Sequence, residues 1–402
     1  MRMQDHENMQ TNTSSAESQK EPSGEAMKMG GNVTKPQLFA MTILTLTLLI
    51  GGILLGALYG SGITNYTMRA KDMAGLVMPP GMIYYPGQST QSMKDMAAAD
   101  ASKVTYTASA TARGDQPLQP TLDNGVKVFN LNVSLIKWNI LPNVQVVAYA
   151  FNHQVPGPRI RVTEGDSVRF VVKNDLPEAT TVHWHGLIVP NGMDGPGDIT
   201  QKPIEPSQSF TYELTTQQRG TYFYHSHKDA DRQEALGMYG ALIIDPKNTP
   251  ATSTYDQEAV IQLGQWTVKN GYTFPSMPME GSFPNYFTIN GKAYPSTEPI
   301  NLKVGQKLLV RFIGTNSMDI HPMHIHGGPF TIVATDGNPV PSTAQFQKDT
   351  VDVGTGERYD VVWPAREPGK WLLHCHINHH TTNDNVETDG GGGLTMVINV
   401  SQ

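Results

Sequence analysis

The sequence GKWLLHCH at residues 369–376 repeats, with changes, the sequence GTYFYHSH at residues 220–227. Both begin at a Gly and continue through aromatic and apolar residues to a His-x-His pair. This pattern is typical of a β-strand that follows a turn. A second pair of segments precedes them: GDSVRFVVKN at residues 165–174 leads into HWHG, and GQKLLVRFIGTN at residues 305–316 leads into HPMHIHG. The same motifs in the same order indicate a duplicated β domain.

Strand-like segments of this kind fill the regions on both sides of residues 249–255, and no long amphipathic helix interrupts them. The 402 residues include 38 Gly and 28 Pro, and only 16% are charged, which favours turns and strands over helical bundles. We therefore predict an all-β fold with two β-sandwich domains, at residues 124–248 and 256–402.

Three segments precede the predicted domains. Residues 1–37 are polar and lack apolar periodicity, so we predict a disordered tail. Residues 38–59, LFAMTILTLTLLIGGILLGALY, carry no charge over a length sufficient for one bilayer crossing. They predict a single-pass membrane anchor, longer than the apolar core of a signal peptide, with the two domains outside the cytoplasm. Residues 60–123 are predicted to form a flexible connector.

The composition excludes some classes of protein and singles out two residue types. A formal charge of −7 argues against a nucleic-acid-binding protein that neutralises phosphates, and the single cysteine, Cys375, excludes an intrachain disulfide. Ten of the thirteen histidines fall into four short clusters, and the remaining three are His6, His153 and His379. The clustered residues are His183, His185, His225, His227, His321, His324, His326, His374, His376 and His380.

Strand geometry divides these side chains into two groups. Because side chains alternate between the faces of a strand, both members of each His-x-His pair point to one side. The four pairs, 183/185, 225/227, 324/326 and 374/376, therefore supply eight imidazoles to one kind of site. Cys375 lies between two of these imidazoles and points the opposite way. His321, three residues before His324, likewise points away from the side that the 324/326 pair faces. His380 follows the strand of Cys375 closely enough to join it.

The second group, two His and one Cys, is the ligand set of a trigonal blue-copper site for electron transfer. Zinc accepts the same ligand types, but one tetrahedral zinc ion has no use for eight further imidazoles and has no redox chemistry. The imidazoles suit a copper cluster, and the backbone joins Cys375 to His374 and His376 by a few bonds. The spacing therefore predicts electron delivery from one copper site to another.

These four motifs resemble those of the multicopper oxidases, laccase-like enzymes built from cupredoxin domains, over residues 126–400. The resemblance implies two cupredoxin-like Greek-key β-sandwiches and four copper ions per subunit: one type 1, in the second domain, one type 2 and two type 3. The implied ligands are His321, Cys375 and His380 for type 1; His183 and His324 for type 2; and His185, His225, His227, His326, His374 and His376 for type 3.

The resemblance also implies roles for residues outside the His-x-His pairs. Aligned through residues 393–397, the axial neighbour of the type 1 copper would be Leu394, which has no donor atom, and Met396 is the alternative. Asp194 matches an aspartate that assists proton delivery near the type 2 copper, although an Asp before Gly is commonly a turn residue. His379 is one residue short of the family's spacing from Cys375, so we expect it to be exposed or to lie behind the ligands.

The function that the resemblance implies couples one-electron oxidation of a reducing substrate at the type 1 copper to four-electron reduction of O2 to water at a trinuclear cluster. Two-domain members of the family are homotrimers whose clusters are shared between subunits, and we expect the same here. Phenols, Fe(II), Mn(II) and Cu(I) all stand as candidate electron donors.

Two other classes of protein stay open, as does the role of the connector. A copper nitrite reductase is a related trimer, but it needs a type 1 cysteine where this chain has Ser226 and it lacks paired type 3 motifs. A copper carrier or store would bind the metal without turnover. Methionine thioethers suit Cu(I), yet Met is also common as flexible filler. The connector contains Met68, Met73, Met78, Met82, Met93 and Met96.

Overall fold

The computed structural model describes residues 34–66, 75–82, 88–248, 255–279, 281–315, 318–388 and 390–402. Most of the predicted disordered tail, the link at 249–254 and the connector residues Met68 and Met73 lie outside these ranges. The chain divides into two compact units, Met1–Asn65 and Tyr66–Gln402.

The first unit contains helix α1 (Lys35–Tyr66). Within its 23-residue segment Lys35–Ala57, a stretch of 18 residues has a mean hydropathy of 2.4 and no buried side chain. Its threonines do not break the apolar pattern, because Thr42, Thr45 and Thr47 each donate a hydrogen bond to the carbonyl four residues earlier. By length and composition, α1 is able to cross a membrane, and a signal sequence passes the same test.

The first β-sandwich is formed by residues 106–245. Its strands are β1 (Tyr106–Thr107), β2 (Pro117–Leu118), β3 (Thr121–Asp123), β4 (Val126–Leu141), β5 (Val144–Phe151), β6 (Gly157–Thr163), β7 (Ser167–Asn174), β8 (Val182–His185), β9 (Ser209–Thr215), β10 (Gly220–Ser226) and β11 (Tyr239–Asp245). One sheet has the order β1-β4-β7-β9, with β3 and β5 also paired to β4, and the other has the order β2-β6-β11-β10-β8.

The second β-sandwich is formed by residues 257–401. Its strands are β12 (Gln257–Lys269), β13 (Tyr272–Phe274), β14 (Tyr286–Ile289), β15 (Ile300–Lys303), β16 (Lys307–Gly314), β17 (His321–Ile325), β18 (Phe330–Thr335), β19 (Asn338–Pro339), β20 (Phe346–Lys348), β21 (Thr350–Val353), β22 (Arg358–Pro364), β23 (Gly369–Cys375) and β24 (Thr395–Ser401). One sheet has the order β13-β12-β16-β22-β18-β19, with β14 on β12 and β20 on β18, and the other has the order β15-β24-β23-β17-β21.

The predicted pair of β-sandwiches is thus confirmed, and each encloses its own apolar core. Burial alternates along strands such as β7, β8, β17 and β18, because one face of each sheet packs on the other sheet. Strands β10, β11, β14 and β16 are instead buried along almost their whole length. The two sandwiches also pack on each other through buried aromatic residues that include Trp138 and Trp266. Nε1 of Trp138 donates a hydrogen bond across this contact to the carbonyl of Gly291, at 2.8 Å.

Part of the predicted flexible connector is folded against both sandwiches. It contains helix α2 (Thr90–Met96), and the side chains of Met93 and Met96 are buried with Met277 of the second sandwich. Arg232, in helix α3 (Ala230–Gln233) of the first sandwich, donates a hydrogen bond to the carbonyl of Ala97, at 2.6 Å. The interpretation of the methionines as flexible filler is therefore wrong for Met93 and Met96. The sequence does not reveal this contact because both docking surfaces are made by distant residues.

Candidate metal centre

The side chains of His321, Cys375 and His380 converge in the interior of the second sandwich, and all three are buried. His321 begins β17, Cys375 ends β23, and His380 lies in a 3-10 turn at Asn378–Thr381. The two Nδ1 atoms are 3.1 Å apart, and Sγ of Cys375 is 3.5 Å from Nδ1 of His380 and 4.0 Å from Nδ1 of His321. A point equidistant from three atoms so spaced lies about 2.1 Å from each, which is close to the bond lengths of a metal ion to imidazole and thiolate.

Burial also gives this triad the protonation states that a metal site requires. It lowers the pKa of His321 to about 3, and it lowers that of His380, next to His379, to about 4, so both imidazoles are neutral. Burial raises the pKa of the Cys375 thiol to about 12, so a thiolate needs the charge of a metal ion beside it. The donor set and its spacing therefore fit a copper ion held by two nitrogens and one sulfur.

The predicted axial residue, Leu394, is buried between two members of the triad. Its N–H donates to the carbonyl of His380 at 2.9 Å, and its carbonyl accepts a hydrogen bond from the N–H of Cys375 at 3.0 Å. Met396 is also buried, but it pairs with Leu373, two residues before Cys375 on β23. On the other side, the ring of Phe287 stacks on His380 with a centroid separation of 4.2 Å. The triad thus lies in apolar surroundings.

The first tetrad of imidazoles is made by His183, His185, His225 and His227. The register of β8 with β10 places His183 directly opposite His225. The ring centroid of His183 lies 5.3–5.5 Å from those of the other three. Nδ1 of His185 is 3.3 Å from Nε2 of His225.

The second tetrad is made by His324, His326, His374 and His376, and its construction is equivalent. The register of β17 with β23 places His324 opposite His374. The ring centroid of His324 lies 5.0–5.8 Å from those of the other three. The Nε2 atoms of His326 and His374 are 3.0 Å apart.

The two tetrads hold their imidazoles by the same backbone contacts. A neutral imidazole that donates from Nδ1 to a carbonyl leaves Nε2 free to bind a metal ion. Two members of each tetrad have such a partner, and the equivalent members use equivalent partners. The pairs are His183 with the carbonyl of Asp194 (2.6 Å), His324 with that of Asp349 (2.6 Å), His225 with that of Ser226 (2.9 Å) and His374 with that of Cys375 (2.8 Å).

The two tetrads do not come together within one chain. Among the described histidines, ring contacts join members of the same tetrad, and none joins the first tetrad to the second. Each tetrad has exposed members: His227 in the first, and His326 and His376 in the second. Both tetrads therefore open to the surface of the chain.

Other predicted and unpredicted residues surround these groups. The Asp194 carboxylate lies 3.5 Å from Nδ1 of His183, and His379 is exposed. Sequence reasoning missed Asp319, whose carboxylate is 4.0 Å from Nε2 of His380, although its place two residues before His321 was a signal.

Sequence reasoning also missed Glu234, whose Oε2 is 2.9 Å from Nδ1 of His225. Burial acts to lower the pKa of His225, but the Glu234 carboxylate outweighs it and raises the pKa above its usual value. Glu234 belongs to no sequence motif, because only the fold of the segment around α3 brings its side chain to the histidines.

Comparison with known proteins assigns the chain to a family. Two sequence models of the family described as multicopper oxidase match residues 132–249 and 267–386. The chain belongs to the multicopper oxidase family. The resemblance drawn from the four histidine motifs is thereby confirmed, together with the all-β, cupredoxin-like fold.

Curated relatives and solved structures agree with this assignment. Copper resistance protein A of Escherichia coli is 32% identical, over 54% of this chain and 42% of its own length. Laccase-3 of Thanatephorus cucumeris is 32% identical, over 62% of this chain and 47% of its own length. The chain thus spans less than half the length of these relatives. The blue copper oxidase of Nitrosomonas europaea matches with a TM-score of 0.63 and 34% identity, over 68% of this chain and 86% of that one.

Proposed function

We propose that this multicopper oxidase oxidises a reducing substrate in single-electron steps and reduces O2 to water with four electrons. Bound copper would supply the redox chemistry, with one type 1 ion at the triad and one type 2 and two type 3 ions at the tetrads. The observation that carries the proposal is the position of Cys375. Its side chain belongs to the triad, and its neighbours in sequence, His374 and His376, belong to the second tetrad.

The chain itself holds the two kinds of site at a fixed separation. On β23, Sγ of Cys375 faces the core while the flanking imidazoles face outward, so a few covalent bonds join the triad to the tetrad. The carbonyl of Cys375 also accepts a hydrogen bond from Nδ1 of His374, which fixes that imidazole. The buried side chains of Leu394 and Phe287 have no donor atom and keep the surroundings of the triad apolar, which supports the proposal that Leu394 takes the axial position.

Asp194 is proposed to deliver protons to oxygen. The side chain is 34% exposed, so it reaches solvent, and its Oδ1 faces Nδ1 of His183 at the edge of the first tetrad. A carboxylate in this place can take a proton from water and pass it inward. Asp194→Asn should lower turnover and change its pH profile while copper content stays unchanged.

The separation of the two tetrads supports a homotrimer with shared clusters. Each tetrad supplies four imidazoles, and the trinuclear cluster of the family uses eight. A head-to-tail ring brings the first tetrad of one subunit to the second tetrad of the next, and such a ring closes when the rotation between subunits fits. Three copies would then build three complete clusters.

Subunit complementation tests this arrangement. The paired substitution His225→Ala with His227→Ala removes half of the first tetrad, and His374→Ala with His376→Ala removes half of the second. Each variant alone should lack oxidase activity. Random co-assembly of equal amounts leaves one intact interface in every mixed trimer, so about a quarter of the wild-type activity should return. If the clusters form within one chain, co-expression restores nothing.

Copper analysis combined with O2 uptake separates the oxidase from the other classes of protein. An oxidase consumes O2 with a reductant and holds four copper ions per subunit, whereas a store binds copper without turnover. A nitrite reductase would reduce nitrite and would need a thiolate in the first sandwich. There, Ser226 donates a hydrogen bond to Gln233 at 2.6 Å, which argues against that class.

One observation favours Cu(I) among the candidate electron donors. Methionine side chains from the connector and from the second sandwich gather in one cluster, and thioethers are ligands that Cu(I) prefers. The cluster contains Met78, Met82, Met93, Met96, Met277 and Met279. Replacing the half-buried Met78, Met82 and Met279 with Leu should raise KM for Cu(I) and leave phenol oxidation unchanged. If the substitutions leave the KM for Cu(I) unchanged, the cluster is packing alone.

A further inference from the structure

We infer that Glu234 is a positioning residue for His225 and that its carboxylate fixes this imidazole of the first tetrad in the orientation that binds copper. Oε2 of Glu234 lies 2.9 Å from Nδ1 of His225. The inference rests on the proposed function, because it takes His225 as a copper ligand. It adds to that function a residue that no histidine motif contains.

The contact lies where a charged acceptor has a large effect. The side chain of His225 is 9% exposed and that of Glu234 is 17% exposed, so little water competes for the hydrogen bond. A hydrogen bond to an ionised acceptor is roughly twice as strong as a neutral one. With Nδ1 donating to Glu234 and to the nearby carbonyl of Ser226, Nε2 keeps its lone pair and faces His185 inside the tetrad.

The equivalent position in the second sandwich has a different support. His374 also donates to the carbonyl of its neighbour, Cys375, but that neighbour is itself a member of the triad. A metal ion at the triad would therefore hold the end of β23 in place. In the first sandwich Ser226 replaces the cysteine, and Glu234 supplies a second fixed point for the imidazole.

Glu234 directly follows helix α3, and its neighbours in the helix hold it in place, as a positioning residue requires. The two residues before it are buried and tied to other parts of the fold. Arg232 donates to the hydroxyl of Tyr149 at 3.1 Å and to the carbonyl of Ala97 at 2.6 Å. Gln233 accepts hydrogen bonds from Ser226 and Thr180. The connector and the core thus fix the helix from two sides.

The test compares Glu234→Ala and Glu234→Gln with a matched control, Asp231→Asn. Asp231 is an exposed acidic residue of helix α3, three residues before Glu234, and it lines the same surface cavity as Glu234. Three readouts are measured on the copper-loaded protein: the near-ultraviolet absorption of the coupled type 3 pair, the blue absorption of type 1 copper, and copper retention against a chelator. The blue absorption reports on the second sandwich and serves as an internal standard for folding.

Glu234→Ala should lose the type 3 absorption and retain copper at the tetrads roughly 10–100-fold less tightly, while the blue absorption stays. Glu234→Gln keeps an acceptor without the charge, so it should lie between Glu234→Ala and wild type, and Asp231→Asn should match wild type. Equal type 3 absorption and copper retention in all three variants would overturn the inference.

Two further outcomes are decisive in different ways. If Glu234→Ala also loses the blue absorption, that variant is misfolded, and Glu234→Gln becomes the test. The positioning role is refuted if Glu234→Gln has the same type 3 absorption and copper retention as Asp231→Asn. If wild-type protein itself shows no coupled copper pair, the proposed function fails, and the positioning role of Glu234 toward copper fails with it. The absorption of the wild-type protein distinguishes that case from a failure of the inference alone.

Discussion

The place that the triad occupies in the second sandwich holds a different set of residues in the first. Ser226 precedes His227 as Cys375 precedes His376, and Thr180 precedes His183 by three residues, as His321 precedes His324. Gln233 completes the first set, and it accepts hydrogen bonds from Ser226 at 2.6 Å and from Thr180 at 2.8 Å. All three are fully buried.

The comparison shows two ways to satisfy one buried polar site. Buried polar groups need partners, whether these are hydrogen bonds or a metal ion. In the first sandwich, an amide and two hydroxyls satisfy one another, and Nε2 of Gln233 donates to the carbonyl of Ala179. In the second, two neutral imidazoles and a thiol face one another at distances that suit a metal ion. The duplicated scaffold therefore provides the cavity, and the residue types decide its chemistry.

The largest effect is expected from Cys375→Ser, which gives the second sandwich the hydroxyl that the first one has. Without a thiolate, the blue absorption should vanish. Oxidase activity should fall by more than the roughly 10–100-fold that loss of an outer partner costs at a metal site. Visible spectroscopy and O2 uptake measure both. The reverse change, Ser226→Cys, is the control: because Thr180 and Gln233 are not imidazoles, it should create no second blue centre.

The next effect concerns stability in the first sandwich. Gln233→Ala leaves Ser226, Thr180 and the carbonyl of Ala179 without this partner, and each unsatisfied buried group costs about 1–3 kcal/mol. Denaturant unfolding should show the loss, while the blue absorption remains. His380→Ala is the matched change in the second sandwich and should remove the blue absorption. Loss of the blue absorption in Gln233→Ala would mean that the triad depends on the hydrogen-bond network of Gln233 in the first sandwich.

A smaller effect is expected from Leu394→Met, which would place a thioether at the proposed axial position of the triad. A thioether beside the copper should lower the type 1 reduction potential, because the axial ligand tunes it. Spectroelectrochemical titration measures the potential. Met396→Leu is the control and should leave the potential unchanged, since Met396 pairs with Leu373, two residues before Cys375 on β23. If Met396→Leu changes the potential and Leu394→Met does not, Met396 is the axial residue.

A pH-dependent effect on stability is expected at the contact between the sandwiches. Burial raises the pKa of Asp115 to about 7, with Arg159 lowering it, Glu258 raising it and a hydrogen bond from Gln262 lowering it. The unfolded chain ionises near 3.9, so the folded state binds the proton more tightly between these values. The contribution of Asp115 to the free energy of unfolding is therefore fully present below about pH 4 and is lost as the pH rises to about 7.

Asp115→Asn removes this titration and keeps a side chain that tolerates the positive φ of 59° at this position. Denaturant unfolding at several pH values between 4 and 7 should give a flatter profile for the variant than for wild type. Equal slopes would show that Asp115 ionises in the folded protein as it does in the unfolded chain.

The strands, the duplication and the division of side chains between triad and tetrads could all be predicted from local patterns in the sequence. The alternation of faces along a strand is a local property, so the positions of Cys375, His374 and His376 on β23 follow from their order alone. The same holds for His321 and His324 on β17. The histidine motifs also identified the family, because their order and spacing survive in the sequence.

The residues from other parts of the chain that support these groups are brought to them by the folded chain and could not be predicted from local patterns. Glu234 reaches His225 through a short helix, Arg232 ties that helix to the connector, and Met93 packs on Met277, and no local pattern encodes these contacts. The separation of the two tetrads is likewise a property of the whole chain. Strand periodicity fixes the face on which a side chain lies, whereas the packing of the sandwiches fixes how far apart two such faces are.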